Sequence, residues 1–301
     1  MGPDALRDSS GCILLSERDS IMYQDLIDLR PCEITVPGLR REYHFIHVTD
    51  AHVLLYDENE TQARADYAFP RIGAFAKDCV ATDRRMDALW QYILEHAAEL
   101  DGVLLTGDLI DFPSAPNLVY LRDKLEQLPV PYVFVLGNHD WAYYNDYHTP
   151  HSKVANRPLF NTWSGGNTFV HKQKIGELTF VCVDNTQELY EDGVAETLAE
   201  QLAGEQNVLL MQHIPLCVDT LHDDTVAYWH GQDINIGETG IQKNDNWQTV
   251  RQMLLAENSP VKALITGHLH FWHRDLLDGR LPQFVTATAS DGSAALFTVH
   301  G

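Results

Sequence analysis

Val133-Phe134-Val135-Leu136-Gly137-Asn138-His139-Asp140 passes from four apolar residues straight into a polar cluster. A short unbroken apolar run has the length of a strand buried on both faces, and the abrupt change at glycine marks the loop that leaves it. The same unit recurs on either side. Phe45-Ile46-His47-Val48 leads to Thr49-Asp50-Ala51-His52, and Val103-Leu104-Leu105 leads to Thr106-Gly107-Asp108. Further on, Val208-Leu209-Leu210-Met211 leads to Gln212-His213, and Ala263-Leu264-Ile265 leads to Thr266-Gly267-His268-Leu269-His270. A sixth run, Phe180 to Val183, ends at Asp184-Asn185.

Strands that are apolar on both faces need helices or a second sheet as cover. Helical patterns lie between them. Residues 83–100 carry Met86, Leu89, Trp90, Ile93, Leu94 and Ala97 at helical spacing, with Thr82 or Asp83 as the expected cap. Residues 117–128 repeat this with Leu118, Leu121, Leu125 and Leu128, and residues 245–256 with Trp247, Val250, Met253 and Leu254. Alternating strand and helix define a layered α/β fold, in which the loops at the carboxyl ends of the strands gather on one edge and bind ligands. The five polar clusters are therefore expected to converge. No repeat or Pro/Ser-rich linker divides the chain, so residues 34–301 read as one catalytic domain behind an N-terminal extension, 1–33. Irregular stretches at 56–81, 141–170 and 215–243 are expected to wall a substrate pocket.

Composition narrows the partners. With 43 acidic against 21 basic residues among 301, the formal charge is −22, which disfavours stable binding to a phosphate backbone. Cysteines at 12, 32, 79, 182 and 217 show no metal-type spacing, and their odd number points to a reducing compartment. The first twenty residues hold only a brief Ile13-Leu14-Leu15 run, and no stretch reaches membrane-span length, so the expectation is a cytoplasmic protein with no membrane association.

Asp50 and His52 stand two apart, so in extended backbone both side chains leave the same side and can grip one metal ion; His268 and His270 repeat the spacing. A dinuclear hydrolytic site needs such ligands, a carboxylate able to bridge, and an open position for water. The ordered blocks D-x-H, G-D, G-N-H-D, H and G-H-x-H make the chain resemble the calcineurin-like metallophosphoesterase superfamily. They stand here as Asp50-Ala51-His52, Gly107-Asp108, Gly137-Asn138-His139-Asp140, His213 and Gly267-His268-Leu269-His270.

The resemblance implies a four-layer α/β/β/α sandwich of two mixed sheets flanked by helices. It also implies two metal ions, with Mn, Fe or Zn favoured and Co or Ni permitted by mixed N and O ligation without thiolate. Asp50, His52, Asp108 and His270 would hold one; Asp108, Asn138, His213 and His268 the other, with Asp108 bridging. In the mechanism this family suggests, a hydroxide held between the metals attacks phosphorus, and His139 protonates the departing oxygen. Asp111 matches the carboxylate that orients that histidine. Where protein phosphatases of the superfamily continue with Arg-Gly, this chain has Phe112-Pro113, which turns the expectation towards a small phosphomonoester or phosphodiester. The alternatives are a cyclic-nucleotide phosphodiesterase or nuclease, or a noncatalytic scaffold of the same fold.

Residues outside the blocks read more plainly. His44, His47 and His96 are expected to be packing or hydrogen-bonded residues, and His148, His151, His222, His230 and His273 mostly exposed. Tyr143, Tyr144, Trp163 and Trp229 are expected to anchor loops rather than form a wall. Arg64, Arg71 and Arg157 read as solvated surface rather than partners of a second phosphate, and Cys182 and Cys217 as small core residues.

Overall fold

The computed structural model describes residues 22–143, 149–166, 169–187, 190–231 and 245–301. In chain order the strands are β1 (Asp28–Thr35), β2 (Tyr43–Val48), β3 (Gly102–Leu105), β4 (Tyr132–Phe134), β5 (Val170–Ile175), β6 (Leu178–Val183), β7 (Val208–Met211), β8 (Val261–Thr266), β9 (His273–Leu277), β10 (Leu281–Val285) and β11 (Ser293–His300). The helices are α1 (Gln62–Phe75), α2 (Thr82–Glu95), α3 (Ala115–Gln127), α4 (Pro150–Asn156), α5 (Val194–Leu202), α6 (Asp219–Tyr228) and α7 (Asp245–Leu255).

Two mixed sheets form, ordered β1-β11-β2-β3-β4 and β5-β6-β7-β8-β10-β9. In the first, β2, β3 and β4 run parallel and β11 is antiparallel to β2; in the second, β6, β7, β8 and β10 run parallel. Side chains alternate along each strand, so each sheet has two apolar faces to cover. Phe45, Leu104, Val133 and Phe297 of the first sheet pack inward against Phe180, Leu209, Met211 and Ile265 of the second. On the outer face of the first sheet, Ile46, Val103 and Leu105 meet Met86, Leu89, Trp90 and Ile93 of α2 and Leu121 and Leu125 of α3. On the outer face of the second, Val181, Leu210 and Leu264 meet Leu198 of α5 and Trp247, Val250 and Leu254 of α7. The result is the expected α/β/β/α sandwich.

Boundaries differ from the sequence reading in four places. The division drawn at residue 34 falls inside β1, whose eight residues pair in parallel with β11 from Asp28↔Ser293 to Thr35↔His300. α2 has Ala81 at its N-cap, and neither Thr82 nor Asp83 caps it. α3 begins at Ala115, where the Asn117 N–H donates to Ser114 Oγ. The stretches at 56–81, 141–170 and 215–243 contain α1, α4 and α6; Pro70 and Gly73 interrupt the helical pattern of α1 and hid it. Cys79 is disulfide-bonded, which its spacing did not signal, while Cys32, Cys182 and Cys217 form no disulfide. No helix among the described residues is long and apolar enough to cross a membrane.

Parallel strands share a polarity, so β2, β3 and β4 of one sheet and β7 and β8 of the other deliver their following loops to the same edge. His47 helps align the two sheets there. Its ring nitrogens lie 2.7 Å from Thr106 Oγ1 after β3 and 2.8 Å from Thr286 Oγ1 after β10, and burial pushes its pKa down to about 3.

Candidate metal centre

Glycines make the strand ends tight enough to bring the loops together. A Cβ on Gly137 would lie 2.1 Å from the Asp108 backbone nitrogen, and one on Gly267 would lie 2.4 Å from Asp50 Oδ2. Asp140 then locks two loops, accepting from the backbone N–H of Gly137, Asp108, Leu109 and Ile110 at 2.7–3.2 Å. Asp50, His52, Asp108, His268 and His270 all have positive φ, between 45° and 73°. L-residues rarely adopt that conformation, and its concentration at one edge marks a backbone held in place by its surroundings.

Three overlapping groups place one potential ligand atom per residue within 4.8 Å of one another: Asp50, His52 and His270; His52, Asp108 and His139; Asp108, His213 and His268. All seven are thus brought together, and Asn138 lines the same cavity as His52, Asp108, His268 and His270. His139, expected to touch substrate, also lies within reach of the ligand cluster.

Hydrogen bonds behind the cluster aim its free atoms inward. His213 Nδ1 lies 2.6 Å from the Thr106 carbonyl, which leaves Nε2 3.1 Å from Asp108 Oδ2. His52 Nδ1 lies 3.0 Å from Asp111 Oδ1, which leaves its Nε2 only 3.0 Å from Nε2 of His270. Thr49 Oγ1 and the His268 N–H both donate to Asp50 Oδ2, at 2.6 and 2.8 Å. The other oxygen, Oδ1, is buried without a hydrogen-bond partner, and so is Oδ1 of Asn138. Buried acceptors are normally satisfied, and Asp50 Oδ1, with the Nε2 atoms of His270, His52 and His213 3.4–3.9 Å away, fits cation ligation.

Charge points the same way. Burial alone would raise the carboxyl pKa of Asp50 and Asp108, but neighbouring histidines hold both well below the usual range. Burial works against a proton on His213, yet Asp108 pushes that imidazole up to about 9. A cation competing for the same carboxylate would displace that proton.

Asp111 has more partners than expected. It accepts a two-pronged pair from Arg71 of α1 and faces His52, while its Oδ1 stands 3.3 Å from His139 Nδ1. It therefore joins α1 to the metal loop as well as lying beside His139. Arg71 is not the solvated surface residue its sequence position suggested. Arg157 also departs from that reading, buried against Asp184 with Lys153; Arg64 lies over the Tyr143 ring. The sixth strand-end pair plays no part in the cluster. Asp184 is held by those cations, and Asn185 donates to the Ile214 carbonyl.

The chain's sequence matches the calcineurin-like phosphoesterase model over residues 43–271. The chain belongs to that family. The match spans all five blocks and strands of both sheets, from β2 to β8. Among solved structures, this phosphoesterase is similar to a dimetal phosphatase from Danio rerio, with 15% identity, a TM-score of 0.51 and coverage of 83% of this chain and 88% of that one. It is similar also to a purple acid phosphatase from yellow lupin (Lupinus luteus) seeds, with 14% identity and a TM-score of 0.53. The alignment there covers 85% of this chain but 45% of the lupin enzyme, so this chain spans under half its length. At such identities the likeness is one of fold. Comparison with curated proteins gives no match.

The cavity of about 950 Å³ over the cluster is walled by Arg71 and Gly73 to Lys77, at the end of α1, and by Ala227 to His230, at the end of α6. Two of the three stretches expected to form walls do so. From 141–170 no described residue lines it, and Tyr144, His148 and most of 232–243 lie outside the described residues. Phe75 and Lys77 carried no sequence signal, because nothing local tells a wall residue from a solvated one. Asp140 carried one, as the last residue of the third block.

Proposed function

We propose that this phosphoesterase hydrolyses a small phosphomonoester or phosphodiester at a two-metal centre. One metal would be held by Asp50, His52, Asp108 and His270, the other by Asp108, Asn138, His213 and His268. The observation that carries this reading is the convergence of Asp50, His52, Asp108, His213, His268 and His270, with Asn138 lining the same cavity and with Asp50 Oδ1 and Asn138 Oδ1 both buried without a hydrogen-bond partner. When bound, two cations would supply Lewis acidity to the phosphoryl oxygens and make an attacking water acidic near neutral pH. The donor set, imidazole and hard oxygen without thiolate, suits Mn, Fe or Zn.

The remaining work falls to the chain itself. Attack by the water oxygen forms a bond to phosphorus, the ester P–O bond breaks, and a proton must reach the departing alkoxide. His139 is the group we assign to that proton transfer. Its backbone N–H donates to Asp108 Oδ1, and its Nδ1 faces the Asp111 carboxylate and, at 3.3 Å, the Asp111 carbonyl, so the ring stays beside the cluster. Burial holds His139 down to about 4, and the negative charge of a docked phosphoester acts in the opposite sense, favouring the protonated ring when substrate is present. The Arg71–Asp111 pair keeps α1 closed against His52. With a net charge of −22, the surface favours small phosphoesters over nucleic acid. Cytoplasmic residence remains part of this proposal.

The test is hydrolysis of p-nitrophenyl phosphate and of its bis-ester by protein stripped of metal and reloaded with Mn²⁺, Zn²⁺ or Fe²⁺. Turnover with at least one metal supports the reading. Its absence with every metal would favour a noncatalytic scaffold of the same fold.

A further inference from the structure

A phosphoryl group occupies only a fraction of a cavity of about 950 Å³, so the rest must receive the alcohol part of the ester. That space has a chemical character. Phe75, at the last position of α1, and Trp229, just beyond α6, both line it and both are half-buried. They flank the same ligand candidate, with ring centroids 6.1 and 5.5 Å from that of His270. Gly73, Ala74 and Ala227, three small residues, line the same cavity.

Both rings are fixed in place. Phe75 stacks on His52 at 4.3 Å and 9°, and the Arg71–Asp111 pair one turn earlier secures its helix. Trp229 Nε1 donates to the Leu269 carbonyl at 3.2 Å. Trp229 thus anchors its loop, as expected from sequence, yet it also presents ring surface to the cavity. Aromatic rings held rigidly beside water lose little entropy when a second ring covers them, and such rings prefer other π-systems to saturated groups of equal size.

We infer that the pocket selects phosphoesters whose alcohol part carries a flat aromatic ring, a nucleobase or an aryl group, docked against Phe75 and Trp229. The inference rests on the hydrolytic reading above and adds the substrate class to it.

Benzyl phosphate and cyclohexylmethyl phosphate test it, because both release primary alcohols and differ mainly in whether the six-membered ring is flat. The metal-loaded enzyme should show a kcat/KM roughly tenfold higher for the benzyl ester, expressed in KM, which is the size of one ring-stacking contact. Trp229→Ala should shrink that preference to within about threefold at unchanged metal content, and Trp229→Phe should restore most of it. Adenosine monophosphate, run beside them, separates a nucleobase from a simple aryl group. Equal kcat/KM for the two ring esters, or a preference untouched by Trp229→Ala, overturns the inference while leaving the hydrolase reading intact. If no ester is cleaved with any metal, the hydrolase reading fails instead. Calorimetric titration with benzylphosphonate and cyclohexylmethylphosphonate still decides the pocket, since equal affinities would overturn the inference without any turnover.

Discussion

Asp108 and His139 lie in neighbouring loops and touch each other, yet they have different chemical surroundings. Asp108 has its carboxylate within reach of His52, His213 and His268 and belongs to two of the three overlapping ligand groups, as His52 does. Asp108→Ala should therefore abolish activity and lower bound metal, measured by elemental analysis of the purified protein. His139→Ala should keep its metal and slow esters with poor leaving groups most, because proton transfer matters most when the alkoxide is basic. Equal metal loss in both variants would place His139 among the ligands. At Asp184, burial favours the neutral acid, but Lys153 and Arg157 hold its pKa down to about 2 from an ordinary 3.8. A carboxyl whose folded pKa is depressed stabilises the fold above its unfolded pKa and loses that contribution as pH falls towards the folded one. Urea denaturation should show the native protein losing roughly 2 kcal/mol more than Asp184→Asn between pH 4 and pH 2. Parallel losses in both proteins would rule out that role for Asp184.

At the scale of elements, α2 shows how packing outweighs capping. The helix starts without a side-chain cap, yet Met86, Leu89, Trp90 and Ile93 are at most 1% exposed against the first sheet. Trp90 also donates from Nε1 to the Lys124 carbonyl at 2.8 Å, tying α2 to α3. Trp90→Ala should cost about 3–5 kcal/mol, read as a lower urea midpoint at unchanged slope. A loss under about 1 kcal/mol would mean that the α2–α3 contact relaxes to fill the space. α1 is the opposite case. With Phe69 40% exposed and Ala68 its buried residue, it holds to the molecule through Arg71 and Phe75 and through Tyr67, Ala68 and Ile72, which pack with Leu54, Phe112 and Tyr143.

Across the whole molecule, the centre lies where two sheets and five loops meet, so a bound cation links elements from residue 50 to residue 270. Binding to the folded state alone stabilises it in proportion to ligand concentration, by about 2.7 kcal/mol per site at a hundredfold excess over Kd. Removing metal with a chelator should lower the thermal midpoint, and adding it back should restore both midpoint and turnover. An unchanged midpoint after chelation would argue against tight metal binding at this edge.

Sequence by itself determined the strand runs, the alternation with helices and the polar blocks, because apolar periodicity and glycine breaks are local signals. It led to the family, and through it to the four layers and the residues that converge. Tertiary structure alone decided the rest. β1 escaped the sequence reading because Leu29, Pro31 and Cys32 pair with β11 across 265 residues of chain, and no local pattern records a partner so distant. Arg71 looked like surface because its carboxylate partner lies 40 residues away. Phe75 and Trp229 face one cavity only because the ends of α1 and α6 meet over it, a proximity that only the folded chain creates.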